Sequence, residues 1–397
     1  MTIDVKQAVD EQIAKLNDRI HKVNKAIHQN PELAYQEFKA HDTLCDFLEE
    51  CGFKVTRHAY GLETAFEALY GEGGRLININ CEYDALPLGH ACGHNLISTA
   101  GITAFLALTH VLKQTGTPGR VQILGTPAEE HGGGKIKLIE AGAYKGVDAS
   151  FMAHAIGEQT GTNSANMKGS ACGHLSFTFK GKPAHAGANP WDGINALDAF
   201  VAFYNNVSLL RQQCTPDARM HGCLIEGPKV PNIIPEHAKV NFNVRANNIS
   251  KLNKLIDRVI KCAEAASLAT GCKLEVDNPT PYYDMITSDS LDDQYLSNLK
   301  KYGLDGVRHM ETGGSTDQGN VSYEVPNIHA MFLIPGSKGN PHQEAFVVDA
   351  GTEAGHNAAV TVGKSLALTA YDVLTDDKLY SHIHSEWKAN LKQATSN

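Results

Sequence analysis

The feature that most constrains the fold is an alternation of short apolar strands with helical stretches, interrupted once by a segment of different rhythm. Apolar runs at 75–81, 121–124 and 149–154 read as strands, and helical patterns at 95–112 and 136–141 separate them. Upstream, 5–52 carries helical periodicity broken at His28-Gln29-Asn30-Pro31-Glu32-Leu33, which predicts two helices with Pro31 in the first turn of the second. From about residue 170 the order becomes strand (175–179), helix (193–210), two strands (222–226 and 238–245), helix (251–268) and strand (273–276). This β-α-β-β-α-β order suggests a ferredoxin-like unit. Ala238, Val240, Phe242 and Val244 alternate with polar neighbours, as in a sheet solvated on one face. After residue 284 the first rhythm resumes, with a helix at 291–302, a strand at 328–333 and a closing helix at 352–374. The expected class is therefore α/β: a mainly parallel sheet with helices on both faces, formed by 1–169 and 283–397, with a ferredoxin-like α+β lid domain inserted at 170–282.

Charge narrows the partners. The formal net charge is -9 and the 35 Lys and Arg are scattered along the 397 residues, which argues against nucleic acid or an anionic membrane and for a small-molecule substrate. The first twenty residues are charged and amphipathic, unlike a secretory leader, and the longest apolar stretch, 100–112, is too short to cross a bilayer. Nine cysteines at irregular spacing read as free thiols in a reducing compartment, so a cytoplasmic location is expected.

Sheets of this class bind ligands beyond the carboxyl ends of their strands, and the chemistry-bearing residues fall there. Cys92-Gly93-His94 stands between Asp84-Ala85-Leu86-Pro87 and a long helix, so a thiolate and an imidazole converge at one turn; both suit zinc and neighbouring divalent ions. Glu129 and Glu130 follow the strand at 121–124. Adjacent carboxylates repel, and persist most easily if one ligates a cation while the other takes a proton. His154 ends the next strand. Each feature alone has an ordinary structural reading; their coincidence at three successive strand ends points to metal-assisted hydrolysis. A cysteine nucleophile at Cys92 has no adjacent base except His94, which serves better as a ligand.

The runs EYDALP, GHACGHN, TPAEE, AHA, GKPAHAGANPWDGINAL, PNIIPEHAKVNFNVRA, GGSTDQGNVS and HQEAF resemble the zinc metallopeptidase family of aminoacylase and the glutamate-releasing carboxypeptidases. More narrowly they resemble its amidohydrolase branch of auxin-conjugate, hippurate and aminobenzoyl-glutamate hydrolases and aminoacylase-like dipeptidases. The resemblance spans nearly the whole chain. It implies two divalent ions per chain, zinc first with manganese or cobalt as alternatives, bridged by Cys92 and held by His94, Glu130, His154 and a late histidine. His342 fits that last position best, with His329 and His356 as competitors. By the same resemblance Glu129 is the general base acting on a metal-bridging water, and Asp84 orients a ligating histidine. His185 reaches a partner's active site across a homodimer interface, while Asn232 and Arg245 hold a substrate carboxylate. The implied reaction is amide hydrolysis of small N-acyl amino acids or related conjugates. The alternatives are a dipeptidase, or a non-catalytic binding protein on the same scaffold. Three departures stand out: Glu82 occupies the place of the wider family's metal-binding histidine, Asn95 that of an aspartate, and Gln318 that of a methionine, the last two bearing on substrate preference.

Overall fold

The computed structural model describes residues 3–396, which form two compact units. The first comprises 3–168, Met285–Thr312 and Thr316–Lys392; the second comprises Gly169–Asp284 and Gly313–Ser315, with the chain end from Gln393.

In the first unit the chain runs α1 (Val5–Gln29), α2 (Phe38–Glu50), β1 (Val55–Arg57), β2 (Phe66–Glu72), β3 (Leu76–Glu82), α3 (His94–Thr115), β4 (Gly119–Thr126), α4 (Gly134–Glu140), β5 (Ala149–Gly157) and β6 (Ser164–Lys168). Pro31 lies in the connection rather than in α2. The Glu32 carboxylate accepts the N–H groups of Lys39 and Ala40 at 2.8 and 3.0 Å, so the first free amides of the helix are satisfied several residues downstream of the proline. Every residue of β3 is buried, which is why its sequence shows no polar alternation. By length and hydropathy α3 is able to cross a membrane, a span longer than the apolar stretch at 100–112; it is nevertheless the core helix, with 94% of its most apolar 18 residues buried within the protein.

The second unit contains β7 (Ala171–Lys180), α5 (Ala196–Leu210), β8 (Arg219–Glu226), β9 (His237–Ala246), α6 (Ile249–Thr270) and β10 (Lys273–Asp277). Its four strands form an antiparallel sheet in the order β10-β7-β9-β8. Leu175, Phe177, Phe179, Val240, Phe242 and Val244 point inward, alternating with polar residues, and Phe203 of α5 meets Phe177 tilted and Phe242 edge-on at centroid distances of 4.8 and 5.3 Å. Asn195 caps α5 through the amides of Leu197 and Asp198, which sets its start after the glycine where the sequence pattern begins.

The first unit closes with α7 (Asp289–Lys300), β11 (Val307–Glu311), α8 (Gln318–Glu324), β12 (Asn327–Ile334), α9 (Glu344–Ala350), α10 (Glu353–Thr375) and α11 (Asp377–Thr395). Its eight strands run β1-β2-β4-β3-β5-β12-β6-β11. The pairs β3–β4, β3–β5, β5–β12 and β6–β11 are parallel, while β1 and β2 add an antiparallel edge. The crossover β3–α3–β4 runs to one side of β3, and the next, β4–α4–β5, runs back past it to the other. The carboxyl end of β3 is thus a topological switch point, where a crevice is expected.

Candidate metal centre

Glu82 ends β3 and Asp84 follows it; Cys92 precedes α3 and His94 opens it; Glu129 and Glu130 follow β4; His154 lies near the end of β5. Gly93 makes the turn between the first pair of donors. Its φ is +77°, and a Cβ there would stand 3.2 Å from the Phe346 ring and 3.4 Å from Ala155, so glycine lets Cys92 and His94 converge. The resulting cluster is compact. Cys92, His94 and His154 bring ligand atoms within 4.8 Å of one another, as do Cys92, Glu130 and His342; Cys92 belongs to both sets. Its Sγ is 3.3 Å from His154 Nε2.

Second contacts aim the ligands. Asp84 Oδ1 is 2.9 Å from His94 Nδ1, which leaves Nε2 facing the cluster, and Asp84 Oδ2 accepts the Glu130 N–H at 2.9 Å. His154 Nδ1 faces the Ala155 carbonyl at 2.8 Å, leaving Nε2 toward Cys92. His342 has φ +71°, unusual for a side chain of its size, and its N–H is held by the Ala91 carbonyl at 2.7 Å. Its Nε2 is 3.5 Å from Glu130 Oε1.

The donor set fits two divalent ions. His94 Nε2, Glu130 Oε1 and Glu82 Oε2 are buried without a hydrogen-bonding partner, and His94 Nε2 lies 3.7 to 3.9 Å from carboxylate oxygens of Glu82, Glu129 and Glu130. Polar atoms taken out of water in this way ordinarily find partners, and a shared cation satisfies all three together. Of the competing late histidines, His356 has its ring nitrogens 3.3 and 3.2 Å from Asn24 and Asn17, and belongs to no such set. His329 is buried with both ring nitrogens unpartnered, 5.9 Å from the His154 ring between centroids, and likewise lies outside the sets.

The electrostatics separate the two adjacent glutamates. Burial, then the charges of Glu82, Glu130 and Asp317, push the Glu129 carboxyl well above its ordinary range. Burial also opposes ionisation of Glu130, but the His342 imidazole 3.5 Å away and the field of His94 outweigh it and bring Glu130 to about 2. Burial lowers His154 to about 4, so its ring is neutral and available as a ligand at neutral pH.

Residues 81–362 match the sequence model of peptidase family M20/M25/M40. The chain belongs to this family. It is 40% identical to the Xaa-Arg dipeptidase of Mus musculus, with 98% of this chain and 93% of the relative covered. It is 26% identical to one of the subunits of p-aminobenzoyl-glutamate hydrolase from Escherichia coli (strain K12), covering 96% and 95% of the two chains. Among solved structures, a dinuclear metal-binding peptidase of Bacillus subtilis shares the fold at a TM-score of 0.66 and 21% identity, over 90% of this chain and 99% of that one. An M20 chain with this donor set is a metal-dependent hydrolase of amide bonds, and the reading as a non-catalytic binding protein falls away.

The remaining expected residues lie in the second unit. His185 is exposed, its Nδ1 accepting the N–H groups of Gly187 and Ala188 at 3.1 Å. Asn232 is exposed and its carbonyl accepts the Ala186 N–H at 3.0 Å. Arg245 is half-buried, and Nη1 donates to the Gly313 carbonyl at 2.6 Å and Ser315 Oγ at 3.0 Å.

Two contributors, Lys135 and Glu37, carry no motif of their own. Lys135 is fully buried and ion-paired to both Glu82 and Asp317. Removing one member of such a group typically costs about 3–5 kcal/mol, because the others are left buried and uncompensated. Glu37, also fully buried, accepts the N–H of Ala128 at 2.9 Å and the Thr64 hydroxyl at 2.8 Å, bracing the turn that leads into Glu129. Gln318 is a core residue, accepting from Asn80 at 2.7 Å; it belongs to the buried polar network beneath the sheet ends. Asn95 is likewise inside, donating to Asn24 and to the Ala350 carbonyl.

Proposed function

We propose that this chain hydrolyses the amide bond of dipeptides whose carboxyl-terminal residue keeps a free carboxylate and carries a basic side chain, using two zinc ions held by Cys92, His94, Glu130, His154 and His342. The observation that carries the reading is that two ligand sets share Cys92 while Glu129 lies beside them. The dipeptide class is favoured over other N-acyl amino acids by the 40% identity to a relative named Xaa-Arg dipeptidase, against 26% to one named for aminobenzoyl-glutamate.

Bound divalent ions supply Lewis acidity, which lowers the pKa of an attacking water and polarises the scissile carbonyl. The chain supplies the proton path. Glu129 takes the proton of the attacking water as the new C–O bond forms, and returns it to the nitrogen as the C–N bond breaks. Such acid-base help is typically worth about 10²- to 10⁴-fold. Burial and the neighbouring carboxylates that raise Glu129 help it hold the proton once taken, the form that donates to the leaving amine. Asp84 keeps His94 in the tautomer that presents Nε2. Arg245 and Asn232 are assigned to the substrate carboxylate, Arg because its planar fork can bond both oxygens.

The working form in this proposal is a homodimer in the cytoplasm. An edge strand exposing Leu224 and Ile225, and a neighbouring helix exposing Val201, Tyr204 and Leu209, support pairing through the second unit. None of the nine cysteines is disulfide-bonded, which suits a reducing compartment.

The test is amine release by zinc-replete protein from alanyl-arginine, alanyl-lysine, alanyl-glutamate and N-acetyl-arginine, before and after chelation. Release from the basic dipeptides, abolished by chelator and restored by zinc, is expected. Chelator-resistant release would overturn the metal assignment, and a preference for N-acetyl-arginine would overturn the dipeptide class.

A further inference from the structure

The loop between β4 and α4 carries Glu129 and Glu130, so whatever holds its ends holds both carboxylates. Those ends meet. The Gly134 N–H reaches the Ala128 carbonyl at 3.3 Å, and a Cβ at position 134 would stand 1.8 Å from the Pro127 oxygen, so only glycine lets the loop close. Ala128 itself has φ +60°, a left-handed conformation that an alanine adopts only under constraint.

The next residue supplies the constraint. Lys135 has no exposed surface. Its N–H donates to Asp317 Oδ2 at 2.9 Å, while Nζ reaches Asp317 Oδ1 at 2.6 Å and pairs with Glu82 Oε1. Glu82 is the last residue of β3, Lys135 sits in the first turn of α4, and Asp317 immediately precedes α8. One side chain thus ties three elements together behind the glutamate loop. Its grip on Glu82 Oε1 also sets the direction of Oε2, which has no hydrogen-bonding partner and lies 3.7 Å from His94 Nε2, within 4.8 Å of Glu129.

A buried ammonium is expensive to desolvate, and an apolar side chain of similar length would fill the same space without that cost. The charge is placed where Glu82 and Asp317 would otherwise repel each other beside Glu129. We propose that Lys135 is a positioning residue: by clamping Glu82 and Asp317 it fixes the Glu129–Glu130 loop in its reactive placement. The proposal rests on the reading of Glu129 as the proton-transfer group. Lys135 acts through that loop and does not touch substrate.

The experiment compares Lys135→Met, Lys135→Arg, Asp317→Asn and Glu129→Gln in two measurements. In metal-free protein, hydrogen exchange of the amides from Ala128 to Gly134 is expected to accelerate at least about tenfold in Lys135→Met, with α1 and α10 unchanged. In zinc-replete protein acting on alanyl-arginine, kcat should fall about 100-fold, the usual consequence of roughly 1 Å misplacement, while KM and a zinc content near two per chain stay as in wild type. Lys135→Arg restores part of kcat. Wild-type exchange in the loop, or a kcat within about twofold of wild type, overturns the proposal, as does a kcat loss that follows zinc loss one for one. Should Lys135→Met fail to fold, Asp317→Asn carries the test: it keeps the volume, removes one anchor, and should show the same faster exchange with about a tenfold loss of kcat. Unchanged exchange and kcat in that variant sink the idea. If Glu129→Gln retains full turnover, the reading of Glu129 fails, and the exchange result still decides the role of Lys135.

Discussion

Asp84 Oδ1 stands 2.9 Å from His94 Nδ1, and the same carboxylate accepts the Glu130 N–H through its other oxygen. One side chain therefore aims two proposed metal ligands, one through its ring nitrogen and one through the backbone. Burial acts to raise the Asp84 carboxyl, but the charge and hydrogen bond of His94 outweigh it and hold it below its ordinary value. Asp84→Asn keeps one acceptor oxygen where two are used, so it can serve His94 Nδ1 or the Glu130 N–H but not both. Zinc affinity, measured by competition with a chelating dye, is expected to fall about 10- to 100-fold. Unaltered affinity would remove Asp84 from the site.

Glu129 and Glu130 are neighbours in sequence with different electrostatic settings, so their isosteric variants should separate. Glu129→Gln keeps shape and removes the proton acceptor, and turnover is expected to drop by about 10² or more with zinc retained. Glu130→Gln removes an anionic ligand, and zinc content by elemental analysis should fall below two per chain. Equal zinc loss in both variants would show that the two roles have been wrongly divided.

Zinc retention should also depend on pH. Protons and metal compete for the same ligand atoms. The Glu130 carboxylate 3.5 Å away raises His342 above its ordinary value of 6.5, so protonation weakens that ligand before His154 as pH falls. His154, lowered to about 4 by burial, holds on longer. Zinc release on acidification is therefore expected in two stages, with His342→Ala abolishing the first. A single stage in the wild-type protein would contradict this ordering.

Glu37 gives the fold its own pH dependence. Burial is the largest influence on it, the Thr64 hydrogen bond opposes, and the Asp84 charge adds to burial, leaving Glu37 at about 7 against an ordinary 4.5. Its folded value is raised, so its contribution to stability is complete below the unfolded value and is lost as pH rises through 7. The loss amounts to about 3 kcal/mol at most. Urea unfolding of metal-free wild type and Glu37→Gln should show wild type losing ground to the variant between about pH 5 and 8. A difference that stays constant across that range would refute the assignment.

A mixing experiment tests the shared site of the proposed dimer. His185→Ala and Glu129→Gln chains are each expected to be inactive, and subunit exchange should restore activity, because one of the two sites in a mixed dimer then holds both an intact Glu129 and an intact partner His185. No recovery despite demonstrated exchange would place His185 in its own chain's chemistry, or outside the chemistry altogether.

The legible parts of the sequence are those where burial is uniform or strictly periodic. β3, β4 and β5 read as strands because nearly every residue is buried, and β9 because Ala238, Val240, Phe242 and Val244 alternate cleanly. β2 is hard to read since its burial decays along its length, and β6 because it buries Ser164 and Asn166 along with Ala165 and Met167, leaving no apolar alternation. Asn166 is stabilised there by Asp292, 126 residues away. α11 has only Ile383 and Trp387 buried among its described residues, too few to make a stripe. The proposed metal ligands stand out in the sequence through residue type and position at strand ends. Lys135 is not, because a lysine beside a glycine run signals nothing about partners 53 and 182 residues distant. Glu37 is silent for the same reason, its contacts being set by tertiary structure alone.

The sharing of Cys92 between two ligand sets makes the centre vulnerable at a single atom. Sulfur is the most readily oxidised donor in the cluster, and conversion of Cys92 to a sulfenic or sulfinic acid would withdraw it from both candidate ligand sets at once. A centre bridged by a carboxylate has no such weakness. The near-complete burial of Cys92 and the packing of Phe346 and Ala155 against Gly93 thus act as a shield against oxidants, and peroxide sensitivity becomes a property of how tightly that wall is packed.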